Sequence, residues 1–239
     1  GADETTDGTT YDYAVTAVDA NSQASTKSTA VTATADATAP SGLAVSASNP
    51  SGQEIEVEVT SGEALDSIDV PISGPDGSTL DRTDFTETVD DGTYTYTGTY
   101  TPTSDGVYST DLDAAADAAG NDGAGSESDS VTVDTTGPSF SSVTVKQDGG
   151  DDIVTTGDMV LVEADVTDTF NSVTGSSVTV DASAIQQGAT AVELTQDTGD
   201  TYNKKIEVTN PTAADGEVQL QLSADDSDNN EGTRQDAAT

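Results

Sequence analysis

Three stretches of this 239-residue chain carry one pattern, an alternating strand that runs into an Asp/Asn-rich turn. Tyr11, Tyr13, Val15 and Ala17 lead to Asp19; Tyr108, Thr110, Leu112 and Ala114 lead to Asp117; Val218, Leu220, Leu222 and Ala224 lead to Asp226. Apolar residues at a period of two need a sheet that is buried on one face. The turn aspartates stand 98 and 109 residues apart, and each is followed by a return strand. That repeat is what a row of small β-sandwiches leaves in a sequence.

Charge narrows the class. There are 45 acidic residues against 6 basic ones, a net of −39, and the acids are spread along every segment rather than gathered in a tail. Such a chain repels itself in dilute solution. At 1 M salt the screening length falls to about 3 Å and most of the repulsion disappears. Dispersed acid on a patterned β chain therefore points to a folded protein suited to molar salt. Intrinsic disorder is the competing reading, since only 32% of residues are apolar, but the alternation is too regular for it. Nucleic acid is excluded as a partner, because phosphate contacts need clustered Lys and Arg. Apolar runs are only a few residues long, so no segment spans a bilayer as a helix. The absence of Cys removes disulfides and thiol chemistry together.

Two seams divide the chain, Ala37-Thr38-Ala39-Pro40 and Thr135-Thr136-Gly137-Pro138, with their prolines 98 residues apart. A proline stops the ladder and stiffens the join. Between the seams, Glu54-Ile55-Glu56-Val57-Glu58-Val59 alternates strictly, and strands are expected at 65–72, 93–101, 107–116 and 130–134. The strand before Asp117 has one residue more than its first copy, which a β-bulge near Asp113 or an offset in the alignment explains. In the last unit, strands are expected at 142–145, 159–166, 177–180, 192–194, 202–208 and 218–224, with no helix anywhere. The first unit holds two strands, 10–19 and 29–34, and a lone hairpin is marginal in water. Either the chain is cut from a longer one at both ends, or neighbouring copies exchange strands to complete one another.

Gly8-Thr9-Thr10-Tyr11-Asp12-Tyr13-Ala14-Val15-Thr16-Ala17-Val18 resembles the penultimate strand of a fibronectin type III domain and Ser28 to Thr34 its last, a resemblance that implies a tyrosine corner at Tyr11. Residues 41–136 and 139–239 are similar to bacterial and archaeal immunoglobulin-like repeats of large surface proteins. The similarity rests on Asp117-Ala118-Ala119-Gly120-Asn121, on Val131 to Pro138, and on Asp181-Ala182-Ser183-Ala184 ahead of Asp200-Thr201-Tyr202. Asp/Thr-rich forms of these repeats belong to secreted and cell-surface proteins of haloarchaea. The third unit departs at Asp226-Ser227-Asp228-Asn229-Asn230, which lacks the glycine. The expected fold is all-β: tandem immunoglobulin-like antiparallel β-sandwiches strung like beads in an elongated row. Residues 1–38 are read as the C-terminal strand pair of a fibronectin type III-like domain, 39–137 as one sandwich, and 138–239 as a second lacking its last strand.

Catalytic constellations are scarce. Without His there is no Ser-His-Asp triad and no imidazole base, and no phosphate-cradling loop with Lys occurs. Carboxylates abound, yet nothing marks a pair facing across a sugar-sized cleft. No catalytic, cofactor-binding or metal-binding residue is therefore assigned. Calcium is the one ion the composition suits, at Asp148-Gly149-Gly150-Asp151-Asp152 or Asp225-Asp226-Ser227-Asp228-Asn229-Asn230. Neither fits an EF-hand, and a solvated acidic turn is the simpler reading of both. Gly120 and Asn121 read as residues that tolerate positive φ. Tyr94, Tyr96 and Tyr100 share a face, as core tyrosines with hydroxyls at the rim or as a stacking stripe. Asn49-Pro50-Ser51 and Asn210-Pro211-Thr212 are spoiled glycosylation sequons. The expectation is a non-enzymatic structural or adhesion protein, extracellular on an extreme halophile. The alternatives are a virion surface protein and the accessory domains of a secreted enzyme. The expected partners are surface or virion proteins in a homo-oligomeric assembly, with no nucleic acid and no membrane insertion.

Overall fold

The computed structural model describes residues 5–50, 52–123, 127–150, 153–213 and 216–238. Nineteen strands account for nearly all of the regular structure, and the described helical pieces are two three-residue 3-10 turns, Arg82–Asp84 and Gly175–Ser177.

The first strands, β1 (Thr10–Tyr13) and β2 (Val31–Thr34), form an antiparallel hairpin with no other sheet partner among the described residues. The second unit contains β3 (Ala44–Ser48), β4 (Ile55–Ser61), β5 (Ser67–Ser73), β6 (Ser78–Asp81), β7 (Thr86–Asp90), β8 (Thr93–Tyr100), β9 (Gly106–Asp111), β10 (Ala114–Ala116) and β11 (Ser128–Val133). Its sheets run β3-β4-β8-β7 and β10-β5-β9-β11, with β6 added at β5. The third unit contains β12 (Ser139–Gln147), β13 (Met159–Thr167), β14 (Thr179–Asp181), β15 (Val192–Glu193), β16 (Thr195–Gln196), β17 (Thr201–Glu207), β18 (Val218–Asp225) and β19 (Glu231–Ala238). Its sheets run β12-β13-β17-β16 and β15-β14-β18-β19. In both units the first, second, sixth and fifth strands form one sheet, and the third, the fourth and those after the sixth form the other. This is the A-B-E-D against C-F-G arrangement of the immunoglobulin fold.

Alternation builds each core. Ile55, Val57 and Val59 on β4 are fully buried while Glu56 and Glu58 point to solvent, and Val160, Val162, Ala164 and Val166 do the same on β13. The two units have separate hydrophobic clusters that share no residue. Tyr96 is buried with its hydroxyl accepting from Leu65 N at 2.7 Å, and Tyr94 and Tyr100 pack against the same core. The three tyrosines belong to the core, as in the first of the two readings, but the Tyr96 hydroxyl is buried rather than at the rim.

Around Asp113, Ile72 pairs with Thr110 and Asp69 with Ala114, so that two residues of β5, Val70 and Pro71, stand against three, Asp111, Leu112 and Asp113. The extra residue is a β-bulge, and Asp113 N donates to Asp69 O at 3.0 Å. One expectation is corrected. The third sandwich does not lack its last strand, because β19 pairs with β18 from Val218–Ala238 to Asp225–Glu231. Its residues Glu231-Gly232-Thr233-Arg234 are too polar to signal a strand by alternation.

Candidate functional site

The acidic turns that define the sequence repeat are one structure built three times. Asp19 Oδ1 accepts from Asn21 N and Gln23 N, Asp117 Oδ1 from Ala119 N and Asn121 N, and Asp226 Oδ1 from Asp228 N and Asn230 N. All six distances lie between 2.8 and 2.9 Å. The residue three beyond each aspartate has positive φ: Ser22 (64°), Gly120 (86°) and Asn229 (66°). The glycine missing from the third turn is thus replaced by an asparagine, the residue best able to take its place. Asn121 is not a positive-φ residue, contrary to the sequence reading. Its Nδ2 donates to Asp117 Oδ2 at 2.8 Å, as Asn230 does to Asp226.

These turns meet the linkers. At the second seam, Asp105 accepts from Thr135 N and Thr135 Oγ1, both at 2.7 Å, and from Thr136 Oγ1 at 2.6 Å. Burial opposes its ionisation, but the bonds from Thr136 and Thr135 outweigh that and hold its carboxyl below the ordinary value. Asp7, 98 residues earlier, grips the first seam in the same way, through Ala37 N and Thr38 Oγ1. From the other side, Asn230 Nδ2 donates to Asp134 O at 3.0 Å, and Asn171 Nδ2 bridges Asp134 Oδ2 and Asp228 Oδ2 at 2.9 and 2.7 Å. Gln53 of the second unit donates to Asn230 Oδ1 of the third. The second linker is thus held by both of the units it joins.

Glycine makes the close approach possible. A Cβ on Gly232 would lie 1.8 Å from Pro138 O, and one on Gly123 would lie 2.3 Å from Pro40 O. Each glycine stands six residues after its turn aspartate. Gly232→Ala and Gly123→Ala are each expected to cost about 1–3 kcal/mol, because backbone must move to admit a methyl. Thermal melts at molar salt measure this, and an unchanged Tm would show that the seam does not need the contact.

Three carboxylates converge at each seam: Asp36, Glu63 and Asp117 at the first, and Asp134, Asp168 and Asp226 at the second, with oxygens within 4.8 Å of one another. Each set joins a linker acid, an acid between the second and third strands, and the turn aspartate. Asp134 and Asp226 are each only 1% exposed. Burial, with the charges of Asp168 and Asp105 adding to it, pushes the Asp134 carboxyl up to about 6. The donors are hard oxygens of the kind calcium and magnesium take, and a cleft of about 110 Å³ opens beside Asp105, Asp134 and Asp168.

The sequence reading sought such donors within single turns. Asp225 to Asn230 supplies one member of a triad, Asp226, while Asp228 is held by Asn171. In the other loop Asp148 pairs with Lys205 Nζ at 2.6 Å, and Asp151 and Asp152 lie outside the described residues. Asp36 and Asp134 were missed, although each stands four residues before its seam proline. Glu63 and Asp168 carried no local signal at all. The Tyr11 hydroxyl accepts from Thr6 N at 2.7 Å, the bond of a tyrosine corner. The Tyr108 hydroxyl also reaches back to the backbone, donating to Ser104 O at 2.7 Å, so such a bond does not single out a fibronectin-type unit.

Strand order and repeated seams define a tandem of immunoglobulin-like β-sandwiches. No family model matches the sequence, and no curated protein matches it. Solved structures that align with it include titin domains. A chimeric titin Z1Z2-Z1Z2 tandem carrying a GRGDS peptide from fibronectin is 15% identical over 83% of this chain and 97% of that one, with a TM-score of 0.28. Titin A168–A169 is 12% identical over 84% and 97%, with a TM-score of 0.29, and the A164-A165 pair 13% over 83% and 94%, with 0.25. Overlays of this quality add nothing to the strand order.

Proposed function

We propose that this chain is a non-enzymatic spacer: tandem sandwiches held in fixed succession, forming a stalk, filament or surface-array element outside the cell of an extreme halophile. The observation that carries the reading is the repeated seam, in which an aspartate of the upstream unit (Asp7, Asp105) and the acidic turn of the downstream one (Asp117, Asp226) are built alike around successive linkers. A chain that needed its units to swing freely would have no use for this arrangement. Net charge of −39 supports the saline setting, since acidic surfaces stay soluble where salt screens them. Partners are then further copies or neighbouring surface proteins.

Small-angle X-ray scattering at molar salt tests the spacer. The native chain should give a narrow distribution of inter-unit distances, and Asp105→Ala, which removes three bonds to the second linker, should broaden it while each unit keeps its Tm. A native chain that already scatters as freely hinged beads would refute the reading. A virion surface element is the second reading, favoured by the same charge and modularity; symmetric copy number in intact particles separates the two.

A further inference from the structure

The outer faces of the β3-β4-β8-β7 and β12-β13-β17-β16 sheets differ in kind. Counting from the buried-tyrosine pairs Val59–Tyr96 and Ala164–Tyr202 puts the two sheets in one register. In the second unit the outward rows are small and anionic: Glu56 lies between Ser48 and Thr99, and Glu58 between Ser46 and Thr97. Both glutamates are exposed, and neither makes an ion pair among the described residues. In the third unit Leu161 stands at the place of Glu56, and its cross-strand neighbours are Lys146 and Lys205. Leu161 and, one row on, Met159 alternate with the core residues Val160 and Val162 and are half-buried. Lys205 reaches Asp148 at 2.6 Å, while Lys146 is exposed and has no ion partner among the described residues. Two of the chain's 6 basic residues thus bracket one outward apolar side chain.

We infer that this Lys-Leu-Lys row docks a second copy of the chain, which presents the Glu56 and Glu58 rows of its own second unit. Charge names the occupant. Lysines around a leucine take an acidic face of short side chains, and the matching sheet of the second unit is such a face. Lys146 and Lys205 stand two strand spacings apart, about 10 Å, and Glu56 and Glu58 about 7 Å along one strand. Four-carbon lysine stems absorb that difference, lying along apolar surface while their ammonium groups reach outward. At molar salt the distant repulsion between two chains of −39 is screened beyond about 3 Å, but ion pairs in direct contact survive. Each copy carries both faces, so the contact recruits further copies. The inference deepens the spacer reading by giving its further copies a surface, and it rests on that reading's saline setting. Association is read by mass and the succession of units by scattering, so each can fail alone.

Sedimentation velocity at molar salt across a concentration series decides it. The native chain should associate reversibly. Lys146→Glu with Lys205→Glu should weaken association at least about tenfold, and so should Glu56→Lys with Glu58→Lys, since each sets like charges face to face. All four side chains are exposed, so both double variants should keep the native circular dichroism. An equimolar mixture of the two should restore native association, because opposite charges then meet. Three results would overturn the inference: a double variant that associates like the native chain, a mixture that stays apart, or a native chain that stays monomeric, which would leave the face to another acidic partner.

Discussion

In dilute buffer the chain is expected to lose its β-sheet circular dichroism, and to recover it as salt is raised to the molar range. The cause is arithmetic. Two unit charges 10 Å apart in water repel by about 0.4 kcal/mol, and here 39 negative charges are uncompensated. Even a few such neighbours per charge sum to more than the about 5–15 kcal/mol that holds an ordinary domain together. Local pairing relieves little: among the described residues the ion pairs are Arg82–Glu87 at 2.7 Å and Lys205–Asp148 at 2.6 Å, and exposed pairs are worth at most about 1 kcal/mol. At about 0.1 M the Debye length is near 10 Å and at 1 M about 3 Å, so the transition should fall between those concentrations. A chain fully folded at low ionic strength would remove the halophile argument.

At molar salt, lowering the pH from 7.5 to about 5 should stabilise the third unit. Asp134 titrates near 6 in the folded chain, above its ordinary 3.8. A raised carboxyl means the folded state binds its proton more tightly than the unfolded one. Its contribution is complete below about 3.8 and is lost as pH rises through 6. The difference is worth about 3 kcal/mol. Asp76, Asp117, Asp158 and Asp181 are depressed by hydrogen bonds to their ionised forms, so their contribution runs the other way and is lost below about 3.8. Tm should therefore pass through a maximum between pH 4 and 6. Asp134→Asn should flatten the alkaline side of that curve and raise Tm at pH 7.5, and a curve with no alkaline slope would show that the triad does not repel itself. A divalent ion among the three carboxylates would keep them ionised and erase the slope. Titrations with excess chelator and with excess calcium thus tell a self-closed seam from a metal-closed one.

What could be read in the sequence was local. The strand before each acidic turn and the Asp113 bulge lie within a dozen residues of one another, so side-chain alternation and a one-residue offset were enough to place them. β19 escaped because Gly232 is chosen for its closeness to Pro138 and Arg234 for its bond to Phe140 O at 3.2 Å, neither of which alternates. β7 escaped because all five of its residues are exposed. The seams were visible as prolines, but their chemistry was not. Asp134, Asp168 and Asp226 are brought together by the sandwich closing, and no spacing rule links the linker, an inter-strand loop and a turn 92 residues after the first of them.

The bond from Asn230 to Asp134 has a mechanical meaning. It ties the entrance of the third sandwich to a turn near the end of its chain. Tension drawn along the polypeptide from the second unit therefore reaches that latch, and the neighbouring grip of Asn171, before it can peel β12 away. A pull is shared by the two ends of the module instead of unzipping it from one edge.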